Sequence, residues 1–244
     1  MLTIKMFPCL MDNYGFLIHD SESGETATID TPEAAKINAA LAEAGWTLTE
    51  IWNTHHHFDH VGGNIELSQQ HGARIRGPKD DAARIPGLTH GVAGGESFKI
   101  GRYDVNVIFT PGHTTSHIIY HIPQAHGGKG AAFVGDTIFI MGCGRLFEGS
   151  AEDMFQSMAA IAKLPPETSL YCAHEYTLSN GTFALTVEPE NSDLQNYMET
   201  AKALRDKGLP TVPTTVAREA KVNPFMRAAT AARLGEIRAA KDKF

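Results

Sequence analysis

The sequence predicts an α+β protein, a strand-rich body followed by a helical C-terminal domain. Two observations carry this. Short apolar runs recur up to about residue 173, most of them ended by Pro, Gly, Asn or Asp, and beyond His174 the pattern changes to helical spacing. With 244 residues and 42% hydrophobic content, the chain can bury a full core in one large domain with a smaller appendage. The predicted division is a body of residues 1–173 and a helical domain of residues 174–244.

Strands are predicted over residues 2–7 and 14–19, separated by Pro8 and an Asp12-Asn13 turn, and a third over 27–29 ends at Asp30. Thr31-Pro32-Glu33 has the form of a helix start, with Thr31 as cap and Pro32 at the first helical position. That helix ends at Gly45, where φ must turn positive. A strand over 48–53 leads into a His-rich run, a short helix follows over 64–71, and 73–76 is a further strand before Pro78. Residues 98–109 form a hairpin turning at Gly101-Arg102, with Val105, Val107 and Phe109 on one face. Strands at 118–122 and 131–134 flank a polar, Gly-rich loop at 124–130. A helix over 151–163 carries Phe155, Met158 and Ile161 and closes at Pro165-Pro166. A strand over 170–173 ends at His174. Ser192-Asp193-Leu194-Gln195 has the form of a capping box opening a helix to Gly208. Asn223-Pro224-Phe225 breaks the following segment, and a final helix runs toward Phe244.

A net charge of −7 argues against a nucleic-acid surface. Cys9, Cys143 and Cys172 are far apart and outside any CxxC spacing, which excludes a disulfide scaffold or a thiolate zinc knuckle and fits a reducing, cytoplasmic compartment. The N-terminal segment lacks the pattern of a signal peptide, and no run approaches a membrane span. No membrane or nucleic-acid partner is expected, and the protein is expected to be a monomer.

The chemistry concentrates at Thr54-His55-His56-His57-Phe58-Asp59-His60. In extended chain His55 and His57 point one way and His56 the other, while Asp59 and His60 fall in the turn that follows. One loop can thus address two metal ions. His113, Asp136 and His174 each follow an apolar strand, and strand ends are rigid places from which to present ligands. Imidazole and carboxylate without thiolate suit a catalytic Zn²⁺, Fe or Mn²⁺ site. His19, His71, His90, His117, His121 and His126 are read as solvated or satisfied core residues. There is no GxSxG elbow, and Cys143, between two glycines, is read as part of a tight loop in preference to a nucleophile.

THHHFDH at 54–60 resembles the HxHxDH signature of the metallo-β-lactamase superfamily. With PCLMDNYGFLI at 8–18, PGHT at 111–114, GDTIFIMGCGRLFEG at 135–149, AHEYT at 173–177 and NPFMR at 223–227, the chain resembles the glyoxalase II (hydroxyacylglutathione hydrolase) family over essentially its whole length. The resemblance implies a four-layer αββα sandwich with a helical substrate-binding domain. It implies one ion on His55, His57 and His113, a second on Asp59, His60 and His174, and Asp136 bridging both, with zinc expected and iron or manganese as alternatives. It also implies glutathione-binding roles for Arg145, Tyr176, Asn180, Arg238 and Lys241, with Phe147 at a further contact position.

The implied reaction is hydrolysis of an S-(2-hydroxyacyl)glutathione thioester, S-D-lactoylglutathione being the family's usual substrate, by attack of a metal-bridging hydroxide. Asp59 is the candidate to receive the proton. Two departures stand out: Arg145 replaces a lysine seen in several members, and Phe147 replaces a tyrosine that often contacts glutathione. Another hydrolase of the same superfamily, or a persulfide dioxygenase, is the competing reading, and a metal-dependent binding module is a further one.

Overall fold

A computed structural model describes all residues, Met1 to Phe244, which form two compact units. The first comprises Met1–Phe109 and Ser116–Phe133; the second comprises Thr110–Thr115 and Val134–Phe244.

The first unit opens with a six-stranded mixed sheet. Strands β1 (Leu2–Cys9), β2 (Asn13–Asp20) and β3 (Thr26–Ile29) run antiparallel. Strands β4 (Glu50–Trp52), β5 (Arg74–Pro78) and β6 (His90–Val92) continue from β3 in parallel. Parallel neighbours need crossovers. Helix α1 (Ala34–Ala44) supplies the first, and α2 (Phe58–Val61) with α3 (Asn64–His71) supplies the second. Ile37, Leu41 and Leu67 from α1 and α3 pack on Leu17, Ile51 and Ile75 of the sheet. Pro8 lies inside β1, which tolerates it because β1 is an edge strand.

The opposite face of this sheet meets an antiparallel set, β7 (Ser97–Ile100), β8 (Tyr103–Phe109), β9 (Ile118–Ile122) and the start of β10 (Ala131–Gly135). Trp52 packs edge-on to Phe98 with ring centroids 4.9 Å apart, and Phe16 packs on Phe133 at 5.6 Å. Such aromatic contacts fix the spacing of the two sheets. The loop at 124–130 contains a one-turn helix, α4 (Ala125–Gly128).

The second unit carries a two-residue hairpin, β11 (Ile138–Phe139) and β12 (Gly142–Cys143), and the pair β13 (Ser169–Cys172) and β14 (Thr214–Thr215). Its helices are α5 (Ala151–Ala162), α6 (Thr177–Val187), α7 (Ser192–Arg205), α8 (Val216–Val222) and α9 (Ala231–Lys241). None is long and apolar enough to cross a membrane.

Three local expectations are corrected. Helix α1 begins at Ala34 with Glu33 at its N-cap, because the Thr31 hydroxyl donates to Asn64 Oδ1 (2.8 Å) and its amide to the His60 carbonyl (2.8 Å). Helix α7 is capped by Asn191, which accepts from the Leu194 amide, while Gln195 reaches the Pro189 carbonyl instead of closing a box at Ser192. The structure places the capping box at Ser150–Asp153. Phe109 ends β8 beyond the core and is exposed, unlike Val105 and Val107.

Candidate metal centre

Each unit presents its own set of histidine and carboxylate side chains of the kind that can hold a metal. In the first, β4 stops at Trp52 and Asn53 pins the following loop by donating to the His60 carbonyl at 2.9 Å. His55 Nε2 and His57 Nδ1 face each other at 3.1 Å, and Asp59 Oδ2 lies 3.4 Å from His60 Nε2. His56 turns away to Asp81 at 3.1 Å, as strand alternation predicts. His117 is buried and stacks on His55, consistent with a core role.

Tautomers follow from the surrounding hydrogen bonds. Asp30 Oδ2 is 2.8 Å from His60 Nδ1, which therefore carries the proton and leaves the Nε2 lone pair available. The Thr54 hydroxyl donates to the same Asp30 oxygen at 2.9 Å, so its own lone pair accepts from His55 Nδ1 at 3.0 Å. His55 Nε2 is thereby also left as a lone-pair donor. Asn13 Nδ2 donates to Asp59 Oδ2 at 3.0 Å. Asp30 adopts φ = 55°, in the left-handed region where Asp and Asn are enriched. Nothing in the sequence pattern singled it out, since a lone Asp at a strand end is also an ordinary turn residue.

In the second unit His113 Nδ1 donates to the Arg145 carbonyl at 2.8 Å, which frees its Nε2. Asp136 lies between two imidazoles: its Oδ2 is 3.4 Å from His113 Nε2 and its Oδ1 is 3.5 Å from His174 Nε2. One carboxylate thus offers a separate oxygen toward each histidine. Gly144 permits the packing, because a Cβ there would strike the Asp136 carbonyl and come within 3.0 Å of the His113 ring. Both sets offer oriented imidazole nitrogens and carboxylate oxygens, with no thiolate. That chemistry fits first-row divalent ions.

Cys143 is buried, and burial pushes its thiol up to about 11 against the opposing pull of Arg238. A thiol so raised is a poor nucleophile near neutrality. Cys143→Ala is expected to keep kcat within about a factor of two of wild type, measured by thiol release; loss of turnover in a folded, metal-loaded variant would restore a role for the sulfur.

A cavity of about 360 Å³ in the second unit is bordered by His113 and Asp136 and by all six side chains expected to contact substrate, Arg145, Phe147, Tyr176, Asn180, Arg238 and Lys241. Phe139 and Ser179 also line it and were not foreseen. Arg238 is only 7% exposed; its Nη1 donates to the Cys143 carbonyl at 2.9 Å, and its buried Nε has no partner in the protein. The cavity therefore offers a buried cationic donor for an anionic ligand. Lys241 has its pKa lowered by burial and then by Arg238. Tyr176 stacks on His174 with centroids 4.7 Å apart, and Asn180 ties the hairpin turn by donating to the Ile140 carbonyl.

Residues 23–174 match the metallo-beta-lactamase superfamily, and residues 175–244 match the family described as hydroxyacylglutathione hydrolase C-terminus. A hydroxyacylglutathione hydrolase of Maricaulis maris is 51% identical, with 100% of this chain and 99% of the relative covered. One of Hyphomonas neptunium is 46% identical over 100% and 99%. Among solved structures, a metallo-beta-lactamase from Staphylococcus aureus is 20% identical with a TM-score of 0.73, covering 100% of this chain and 71% of that one. That last likeness concerns the fold alone.

Proposed function

The chain belongs to the hydroxyacylglutathione hydrolase family of the metallo-β-lactamase superfamily, and on that premise we propose that it is a binuclear metallohydrolase of S-(2-hydroxyacyl)glutathione thioesters, acting on S-D-lactoylglutathione. One observation carries this reading. The cavity that borders His113 and Asp136 is also lined by Arg145, Arg238 and Lys241, which suits a substrate with a reactive thioester and two carboxylates.

In this reading His55, His57 and His113 would hold one divalent ion, and Asp59, His60 and His174 would hold the other. Asp136, with one oxygen toward His113 and the other toward His174, would be shared between the two. Zinc fits the donor set, as do iron and manganese. Two such ions, when bound, would supply a water of lowered pKa and a Lewis acid for the substrate carbonyl. Asp59 would take the proton of the attacking water, a role supported by Asn13, which holds one of its carboxylate oxygens. Water adds its oxygen to the thioester carbon, the C–S bond breaks, and a 2-hydroxy acid and glutathione leave. Residues 174–244 serve as the substrate-binding domain of a cytoplasmic monomer.

Turnover of S-D-lactoylglutathione, measured with metal analysis of the same sample, tests the assignment: thiol release with two ions per chain is expected, and none despite two ions would direct attention to another ester or thioester. Arg238→Ala is expected to raise KM for the thioester with a modest loss of kcat. An unchanged KM would remove Arg238 from the substrate site. Phe147 is 61% exposed at the cavity wall, so Phe147→Tyr adds a hydroxyl at little packing cost. It is expected to lower KM about threefold, the worth of one added hydrogen bond, with kcat unchanged; a KM equal to wild type or higher would show that the lost hydroxyl is immaterial here.

A further inference from the structure

Glu219 of α8 is completely enclosed in the second unit, and the reaction above gives it no role. A carboxyl group so placed costs free energy unless it is well bonded. Burial raises its pKa, and hydrogen bonds oppose that rise. Its Oε1 accepts from the Thr214 hydroxyl at 2.7 Å, and its Oε2 accepts from the Met141 amide at 2.9 Å and from Asn223 Nδ2 at 3.0 Å. Asn223, the first residue of the NPFMR motif, also donates through Nδ2 to the carbonyls of Phe139 at 3.1 Å and Gly142 at 2.9 Å. Its Oδ1 accepts from the Phe225 amide at 3.0 Å, which fixes the orientation of the side-chain amide. With Asn180 on the Ile140 carbonyl, each of the four residues from Phe139 to Gly142 gives a backbone group to a side chain of the tail.

Those four residues close the β11–β12 hairpin, whose two-residue turn is Ile140-Met141. Two-residue hairpins favour turns with positive φ at both central residues, or at a glycine in the first position. Here only Met141 of the pair has positive φ, 56°, a region that is unfavourable for a residue with a Cβ. Such a turn is not self-sustaining, and Glu219 and Asn223 hold it from outside. The hairpin is also part of the cavity wall. Phe139 and Cys143, one from each strand, line the cavity, whereas Glu219 and Asn223 do not. Phe139 further meets Tyr176 edge-on, with centroids 5.2 Å apart. We propose that Glu219 and Asn223 are positioning residues for substrate: from behind the wall they lock the hairpin, and with it the places of Phe139 and Cys143 against the bound thioester. This rests on the glutathione reading above.

The test uses the metal-loaded full chain as wild type, Glu219→Leu and Glu219→Gln. Leucine removes both acceptor oxygens and is expected to raise KM for S-D-lactoylglutathione about tenfold, the worth of one buried hydrogen bond, with kcat and metal content within about twofold of wild type. Glutamine is expected to keep KM within about twofold, because its oxygen accepts from Met141 while its NH₂ faces a Thr214 hydroxyl turned to accept. Coupling is reciprocal, so saturating S-methylglutathione is expected to slow hydrogen exchange at the Met141 amide of wild type by about the same tenfold factor. That readout decides the matter even where the leucine variant does not fold. A role in folding alone would lower the Tm of Glu219→Leu and leave its KM and the wild-type exchange unmoved, which overturns the proposal. Equal losses in the leucine and glutamine variants overturn it as well. Wild-type turnover alongside either of those results removes the positioning role alone, whereas neither ligand binding nor turnover by wild type removes the glutathione reading and this inference with it.

Discussion

Asp59→Asn is expected to lower kcat by on the order of 10²–10⁴-fold, the span of a lost general base. Asn13 Nδ2 donates to Asp59 Oδ2, which also lies 3.4 Å from His60 Nε2. In the variant the asparagine oxygen satisfies Asn13, so the amide NH₂ takes the place of the other carboxylate oxygen. A donor then stands where a proton acceptor is needed, and it can neither take a proton nor serve as an anionic ligand. Steady-state kinetics and metal content must be measured on one sample, because the same carboxylate is proposed as a ligand. Near-normal turnover with two ions bound would remove Asp59 as the base. Loss of one ion together with activity would assign it to binding.

Of the proposed ligand residues, His55, His113, Asp136 and His174 were legible because each comes shortly after a β-strand, and strand alternation alone separates His55 and His57 from His56. The roles of the tail were less legible. Taken without any family, Arg238 is a charge on a helix, yet Leu234, Ile237 and Arg238 fall at i, i+3 and i+4 and share the buried face of α9. Extending the apolar stripe by one position would have found it. Helix α6 was missed because Thr177–Val187 is rich in Thr and apolar residues with little helical periodicity. Its one buried face is set by Thr177, Asn180, Gly181, Phe183 and Ala184, mostly small or polar residues that carry no apolar stripe, and a Cβ at Gly181 would displace the Met198 side chain. Thr31 reads as a cap by every local rule, but its hydroxyl and amide are taken by Asn64 and His60. Tertiary contacts that hold the His-rich loop displaced the local preference, as happens where a site competes with secondary structure.

Asp30 was recognised only as the end of a strand, and it carries the second large expected effect. Its two oxygens accept from the Thr54 amide and hydroxyl and from His60 Nδ1, and Thr54 Oγ1 in turn accepts from His55 Nδ1. One buried carboxylate therefore sets the tautomer of a histidine proposed for each ion. Asp30→Asn separates this role from backbone strain, since asparagine accepts the left-handed φ of 55° as readily as aspartate. If the amide oxygen keeps the Thr54 amide, its NH₂ faces the Thr54 hydroxyl and His60 Nδ1, two groups that had been donating. His60 relieves the conflict by moving its proton to Nε2, which removes the lone pair meant for metal, and the Thr54 hydroxyl turns and releases His55. Metal affinity is expected to fall by about 10- to 100-fold at both positions, measured by chelator competition on the full chain. Thermal unfolding of the metal-free protein should change far less than the metal-induced rise in Tm, because stabilisation by a bound ion scales with its affinity. Chelator competition within about twofold of wild type would show that the histidines are oriented by packing and not by Asp30.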